Sequence, residues 1–443
     1  MEKRKFRVIL PIILFSYFLI LLDNSVVFTS TVKIAQNLNM SMQSVAWISN
    51  IYSLFFGSVL MLGGRLGDLY GRKKIFLVAL SIFTIFSLLV GLAQSSFIII
   101  VMRAFQGLGA ALLAPTSLSL LMENFKGEQR VKAISYYGIN AGLGASFGLI
   151  VGGLVTTFYS WRLGFLVNVP IGILMIGLTI LFIPNQSPTK HFHLDILGSI
   201  ISVLMILALV NGINGIGNHI LFIGIFIVLL LLFIILESKI KNPMLPLEVF
   251  KDRERASDYI ARFFFFGAMF AFFFLCPQAM QRYYGFTPLM CAFGFMPQTV
   301  SQFIFGFVQS KVTKCFKNES LLLFGVTVST IGLILAAVLG LKHGYFISMV
   351  IPMIIIGIGQ GFCLGPLTIS GVANISEDLS GSASGAVNVF PQLGSSILIA
   401  VIVSVTANVV NVEMAYHYQN LIEVLFMIIA LLMVINIKLA HRR

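Results

Sequence analysis

Charge is scarce in this 443-residue chain. Asp, Glu, Lys and Arg make up 10% of it, against about 25% in soluble domains. That scarcity excludes a mostly water-solvated surface. The four cysteines (Cys276, Cys291, Cys315 and Cys363) lack zinc-ligand or redox spacing, which argues against a disulfide framework. The six histidines form no paired metal-ligand motif, so neither a metal nor a cofactor is expected. There is no Ser/His/Asp constellation, no phosphate-binding loop and no soluble module. An enzyme is therefore not expected, and a receptor or sensor lacks a part to relay its signal.

What the chain has instead is apolar length. Hydrophobic residues make up 58%, with 41 Phe and 39 Gly. Since a spanning helix needs about 20 apolar residues, fourteen stretches qualify: 8–32, 45–64, 75–93, 97–121, 133–158, 163–183, 196–214, 219–236, 259–281, 291–310, 320–341, 345–372, 383–410 and 419–438. The expected fold is an all-α integral membrane bundle. The first apolar run is too long for a signal peptide and no small-residue cleavage site follows it, so it is expected to be retained as a span. With the N-terminus in the cytoplasm, only Lys33, Arg162, Arg282 and Lys342 of the 29 basic residues fall on outer loops, while Arg103 and Arg262 fall in spans. This asymmetry places both termini inside. It also assigns the net charge of +13 to topology and contact with membrane lipids, not to nucleic acid.

The second span ends in "GGRLGDLYGRKK" (63–74). Its glycines permit a tight turn, and its basic triplet holds the loop inside. Here the chain resembles the major facilitator superfamily, whose loop signature matches Gly64, Leu66, Asp68, Gly71, Arg72 and Lys73. "RAFQGLGAA" (103–111) is similar to the family's second motif, with Arg103 within a span. In "GINAGLGASFGLIVGG" (138–153), Gly144, Gly148 and Gly152 line one helix face for close packing. That stretch resembles the family's antiporter motif, although Leu149 stands where the motif has proline. "SWRLGFLVNVPIG" (160–172), "PQAMQRYYGFTPLMCAFGFMP" (277–297) and "GSASGAVNVFPQLGSS" (381–396) resemble blocks of the fourteen-span drug:H+ antiporters. Pro391 in the last replaces a usual arginine, and Val32 a usual proline. The resemblance implies a major facilitator fold with two six-helix bundles and an inserted pair. The segments are then 1–184, an inserted hairpin 185–237, a cytoplasmic linker 238–258, and 259–443. "GLGAALLAPTS" (107–117) and "GIGQGFCLGPLT" (357–368) echo each other, as two related halves require.

Of the sixteen acids, only Asp23 lies near the centre of a span. A charge there is expensive, by about 2.5–3.5 kcal/mol on insertion scales, unless it is paired or titrates. Asp23 is the expected proton or ion site, with Arg103 as its modulating partner; a fixed structural pair is the alternative. Glu423, about a turn into the last span, is a second coupling candidate or a water-exposed interfacial acid. The gate is expected at Gly64, Asp68, Gly71, Arg72 and Lys73, with Arg72 reaching Glu123, and at the Gly144, Gly148 and Gly152 face. Substrate-binding candidates are Asp23, Asn24, Tyr52, Asn140, Gln278, Gln281, Gln360 and Asn388, each of which can equally serve as interhelical glue. The resemblance implies export of amphipathic cationic drugs and dyes by a monomer in the plasma membrane, in exchange for H+ or Na+. A carrier for one metabolite or lipid is the alternative.

Overall fold

The computed structural model describes residues 2–185, 195–214, 218–240, 243, 245–313, 315–375 and 380–440, and among these there is no strand. The helices are α1 (Glu2–Leu38), α2 (Met42–Tyr70), α3 (Arg72–Gly91), α4 (Ser96–Asn124), α5 (Gly127–Phe158), α6 (Trp161–Leu166), α7 (Asn168–Phe182), α8 (Ile196–Asn214) and α9 (His219–Lys239). They continue with α10 (Arg253–Tyr283), α11 (Pro288–Gly294), α12 (Met296–Val312), α13 (Asn318–Leu339), α14 (Ile351–Ser370), α15 (Ser380–Thr406) and α16 (Val412–Ala440).

Local chemistry sets many of the ends. Ser41, Ser95, Asp252 and Thr287 each accept a backbone N–H as the N-cap of α2, α4, α10 and α11, satisfying donors that a helix start leaves open. Between α2 and α3, Gly71 adopts φ 93°, a conformation in which a side chain would be strained. Two expected spans are each built of two consecutive helices that together stay long and apolar enough to cross a membrane. The 163–183 stretch becomes α6 and α7, and the 291–310 stretch becomes α11 and α12. Pro170 and Pro297 lie just after the breaks; each lacks an N–H and crowds the carbonyl four residues back.

Among the described residues, thirteen helical segments are long and apolar enough to cross a membrane; 147–158 of α5 is a shorter apolar stretch. The fourteenth expected span, 133–158, lies within the 32-residue α5. Part of the expected insertion and linker, including 186–194 and 215–217, lies outside the described residues.

The chain divides into two compact units, Met1–Leu204 with Ile240–Met244, and Met205–Lys239 with Leu245–Arg443. Inside the first, α2 and α3 pack on α4, and α1 packs on α5. Inside the second, α12 and α13 pack on α14, and α10 packs on α15. Matching glycines allow matching contacts. A Cβ at Gly107 would lie 2.5 Å from the Tyr52 carbonyl oxygen, and one at Gly357 would lie 2.4 Å from that of Gln298. Two residues on, a Cβ at Gly109 would lie 2.7 Å from Phe83 N, and one at Gly359 2.5 Å from Ser329 N. The Gly-x-Gly echo is thus one packing device used twice, seating α4 between α2 and α3, and α14 between α12 and α13.

Candidate functional site

Asp23 lies on α1 and is fully buried inside the first unit. Glycines place it. Cβ atoms at Gly144, Gly148 and Gly152 would come within 2.7, 2.6 and 2.7 Å of Leu21, Ser25 and Val26 respectively. The α5 glycine face therefore packs directly on the turn of α1 that carries the acid.

Donors from two other helices, α4 and α7, converge on the carboxylate. Arg103 Nη1 of α4 donates to Asp23 Oδ2 in an ion pair whose side chains are both fully buried. Gln106 Nε2, a turn further along α4, donates to Asp23 Oδ1 at 2.8 Å, and Asn168 Nδ2 of α7 donates to the same oxygen at 3.1 Å. The Asn168 amide also lies 3.0 Å from Ser87 Oγ on α3, and Ser87 in turn donates to the Phe165 carbonyl at 2.9 Å. Arg103 is held from its own side: Nη1 donates to Gln106 Oε1 at 2.9 Å and Nε to the Ile48 carbonyl at 3.2 Å. Its guanidinium lies 4.1 Å from the centre of the Tyr52 ring and 5.6 Å from that of Phe165. A cation over an aromatic face in a dry environment is favoured by the ring quadrupole. Val27, Ile48, Val90 and Phe165 belong to the apolar cluster around this site, which keeps the pair's attraction poorly screened.

Chemically this is a buried acid with a resident cation and two neutral donors. Removing either charge leaves the other buried and uncompensated, a change that typically costs about 3–5 kcal/mol. A proton on Asp23, or a competing cation, removes the reason for Arg103 to stay where it is. Three polar atoms at the site, Arg103 Nη2, Asn168 Oδ1 and the Tyr52 hydroxyl, are buried without a hydrogen-bond partner among the described residues. They are available to a rearranged network.

At the α2–α3 turn, Arg72 donates to Asp68 Oδ1 from Nε (3.0 Å) and Nη2 (2.9 Å), and to Glu123 Oε2 of α4 at 3.2 Å. It also reaches the Ser119 carbonyl at 3.3 Å. Lys73 Nζ donates to the Ile180 carbonyl near the end of α7 at 3.1 Å, where a cation opposes the negative end of the helix dipole. The tight approach of α2 to α4 falls on Gly63, whose Cβ would lie 2.5 Å from the Ala111 carbonyl oxygen. At Gly64 the nearest atom, in Pro115, is 3.8 Å away.

The other sequence candidates scatter. Asn24 is half-buried beside Asp23 on α1, and Asn140 donates to the Leu14 carbonyl at 2.8 Å. In the second unit, Gln278 donates to the Phe274 carbonyl at 2.8 Å, Gln360 accepts from Gln298 at 3.1 Å, Gln281 lies beside Cys291, and Asn388 is exposed. Glu423, on α16 of the second unit, is 1% exposed. Sequence reasoning assigned no role to Gln106, Asn168 or Ser87. Gln106 was visible in "RAFQG" and Asn168 in "FLVNVPIG", each a lone polar residue in an apolar run.

Two units of matching helix packing, with thirteen described segments long and apolar enough to cross a membrane, define a multi-pass helical membrane protein. The family model described as Major Facilitator Superfamily matches residues 13–399, and the chain belongs to that superfamily. It is 32% identical over 399 residues to the uncharacterized MFS-type transporter EfpA of Mycobacterium tuberculosis, covering 87% of this chain and 74% of that one. It is 28% identical over 420 residues to the cephamycin export protein CmcT of Amycolatopsis lactamdurans, covering 91% and 86%. It is also 28% identical over 422 residues to the puromycin resistance protein pur8 of Streptomyces alboniger, covering 92% and 83%. Among solved structures, the peptide transporter POT in complex with sulfate superposes with a TM-score of 0.73 at 16% identity, covering 98% of this chain and 95% of that one.

Proposed function

We propose that this protein exports amphipathic cationic drugs and dyes by alternating access, driven by inward movement of protons. In this reading α5 is the fourteenth span and α8–α9 are the inserted pair. The protein works as a monomer in the plasma membrane with both termini in the cytoplasm. Asp23 is the coupling acid. Deprotonated, it holds Arg103, Gln106 and Asn168; protonated, it releases the guanidinium and loosens the contact of α1 with α4 and α7. A differential of about 5.5 kcal/mol moves a two-state protein from one end of its equilibrium to the other, and a buried charge pair is a change of that scale. The α2–α3 turn is the gate, with Arg72 latched to Asp68 and Glu123, and the glycine face of α5 is where α1 slides. Substrate cations compete with the proton for Asp23 beside Tyr52 and Asn24. Asn140, Gln278, Gln281, Gln360 and Asn388 supply further polar contacts.

The observation that carries this reading is the fully buried Asp23–Arg103 pair tied to donors on two helices. It is supported by relatives named for cephamycin export, puromycin resistance and multidrug resistance. The first two names favour a narrower reading, export of one antibiotic. Proteoliposomes loaded with ethidium test both. An imposed pH gradient should drive ethidium movement by the wild type and not by Asp23→Asn. Movement under a Na+ gradient alone would replace the proton by Na+. No ethidium movement under either gradient would reject the cation-export reading and leave the narrower one.

A further inference from the structure

The second unit holds a buried acid that the Asp23 mechanism does not use. Glu423 lies on α16 with Tyr416 and Asn420, at a spacing of seven and three residues, on one face of the helix. All three are at most 2% exposed. That face packs on α10 and α13. Among the described residues no basic side chain pairs with Glu423, in contrast to Asp23. The titratable groups close enough to act on this cluster are Cys276 and Tyr284, together with Tyr416 itself; α13 and α15 present none to it. None of these groups supplies a positive charge.

Asn420 Oδ1 and Glu423 Oε2 are buried without a hydrogen-bond partner among the described residues, while the Tyr416 hydroxyl lies against Asn420 and Cys276. Asn420 donates one Nδ2 hydrogen to the Tyr416 carbonyl at 2.7 Å, and its Oδ1 has no donor among the described residues. An ionised carboxylate here would be buried without a counter-charge and with Oε2 unpartnered, a costly arrangement in a dry bundle. A metal cation is disfavoured as the remedy. Among the described residues no group of three His, Cys, Asp or Glu side chains is placed to hold one. A single proton on Glu423 resolves it. The acid becomes a donor, and Asn420 Oδ1, one turn back, is an unspent acceptor for it.

We infer that Glu423 is a second proton-binding site, independent of Asp23, which carries its proton as a neutral acid presented to Asn420 and releases it during the transport cycle. Asn420 is its positioning residue. The inference deepens the proton-antiport reading and rests on it for the release step; the loaded state stands on this cluster alone.

Two measurements test it separately. Infrared spectra of purified protein in detergent should show a protonated-carboxyl C=O band that shifts in D2O, disappears in Glu423→Gln and persists in Asp23→Asn. Asn420→Leu should move this band to the position of a free acid. Coincident spectra of wild type and Glu423→Gln would overturn the loaded state without touching the Asp23 mechanism. In proteoliposomes, the pH gradient that just balances an opposing ethidium gradient reports protons moved per ethidium. Glu423→Gln should lower that number by one while transport continues, and Glu423→Asp should keep it. An unchanged number in Glu423→Gln would overturn the release step. Failure of wild-type protein to move ethidium bears on the proposed function, while the infrared band still reads Glu423.

Discussion

The two units share a packing plan and differ in what they bury at its centre. Gly107 against the Tyr52 carbonyl corresponds to Gly357 against that of Gln298, and Gly109 against Phe83 corresponds to Gly359 against Ser329. This register aligns Arg103 with Met353, Gln106 with Ile356 and Ser87 with Leu333. All six are fully buried. Where the first unit places a cation, an amide and a hydroxyl around Asp23, the second places three apolar side chains. Its most deeply buried acids lie on other helices: Asp258 pairs with Arg262 within α10, and Glu423 on α16 has no cation among the described residues. One scaffold thus supports both a charged centre and a greasy one, so the fold does not require the ion pair. Polar groups that are dispensable for packing are retained at a cost, and that points to use.

The comparison is broken most severely by giving the second unit what the first has. Met353→Arg puts a guanidinium into an apolar core with no acid to meet it, and an unpaired buried charge is among the most damaging single changes. Loss of monodisperse folded protein on size-exclusion chromatography is expected. The reciprocal change, Arg103→Met, should be milder because Asp23 can take a proton. It is expected to cost about 3–5 kcal/mol, read as a lower melting temperature in detergent. Adding Asp23→Asn to Arg103→Met should recover much of that loss, since two neutral groups then replace a stranded charge. A double variant no more stable than the single would mean that the pair contributes nothing beyond shape.

Much of this was legible before any helix was placed. Asp23 and Arg103 stood out because charge in an apolar run is rare, and the Gly144, Gly148 and Gly152 face because spacing by four marks a helix side. The spans followed from hydropathy, although near Pro170 and Pro297 two of them are each built of two consecutive helices. What stayed hidden was convergence. Asn168 and Ser87 are ordinary polar residues on their own helices, and only tertiary packing brings them to Asp23. Glu423 is a turn inside the expected 419–438 span, which leaves its facing undetermined; α16 in fact starts at Val412 and places it about three turns in, where it is buried. Its neighbour Asn420 gained meaning only once its Oδ1 was seen to lack a partner among the described residues.

Smaller effects sharpen the packing half of the comparison. Gly107→Ala and Gly357→Ala each drive a Cβ to within 2.5 and 2.4 Å of a backbone oxygen that a rotamer change cannot move. Each should destabilise by about 1–3 kcal/mol, and by similar amounts if the two units use the same device. Melting temperatures of the two variants, measured side by side, decide this. A large loss in one and none in the other would mean that the echo between 107–117 and 357–368 is not a shared packing solution.

The smallest effect is expected within the α2–α3 loop signature, where the family motif and the geometry point to different residues. The motif contains Gly64, but a Cβ there meets nothing nearer than Pro115 at 3.8 Å, an ordinary contact. Gly63, outside the motif, would place its Cβ 2.5 Å from the Ala111 carbonyl oxygen. Alanine in a helix interior is favoured over glycine by about 1 kcal/mol. Gly64→Ala should therefore leave the melting temperature unchanged or slightly raised, while Gly63→Ala lowers it. If Gly64→Ala nevertheless slows ethidium transport at unchanged stability, the space beside Gly64 is needed in a conformation other than this one. That is the behaviour expected of a moving gate and not of a static turn. If both stability and transport are unaffected, the gate assignment rests on Arg72, Asp68 and Glu123 alone.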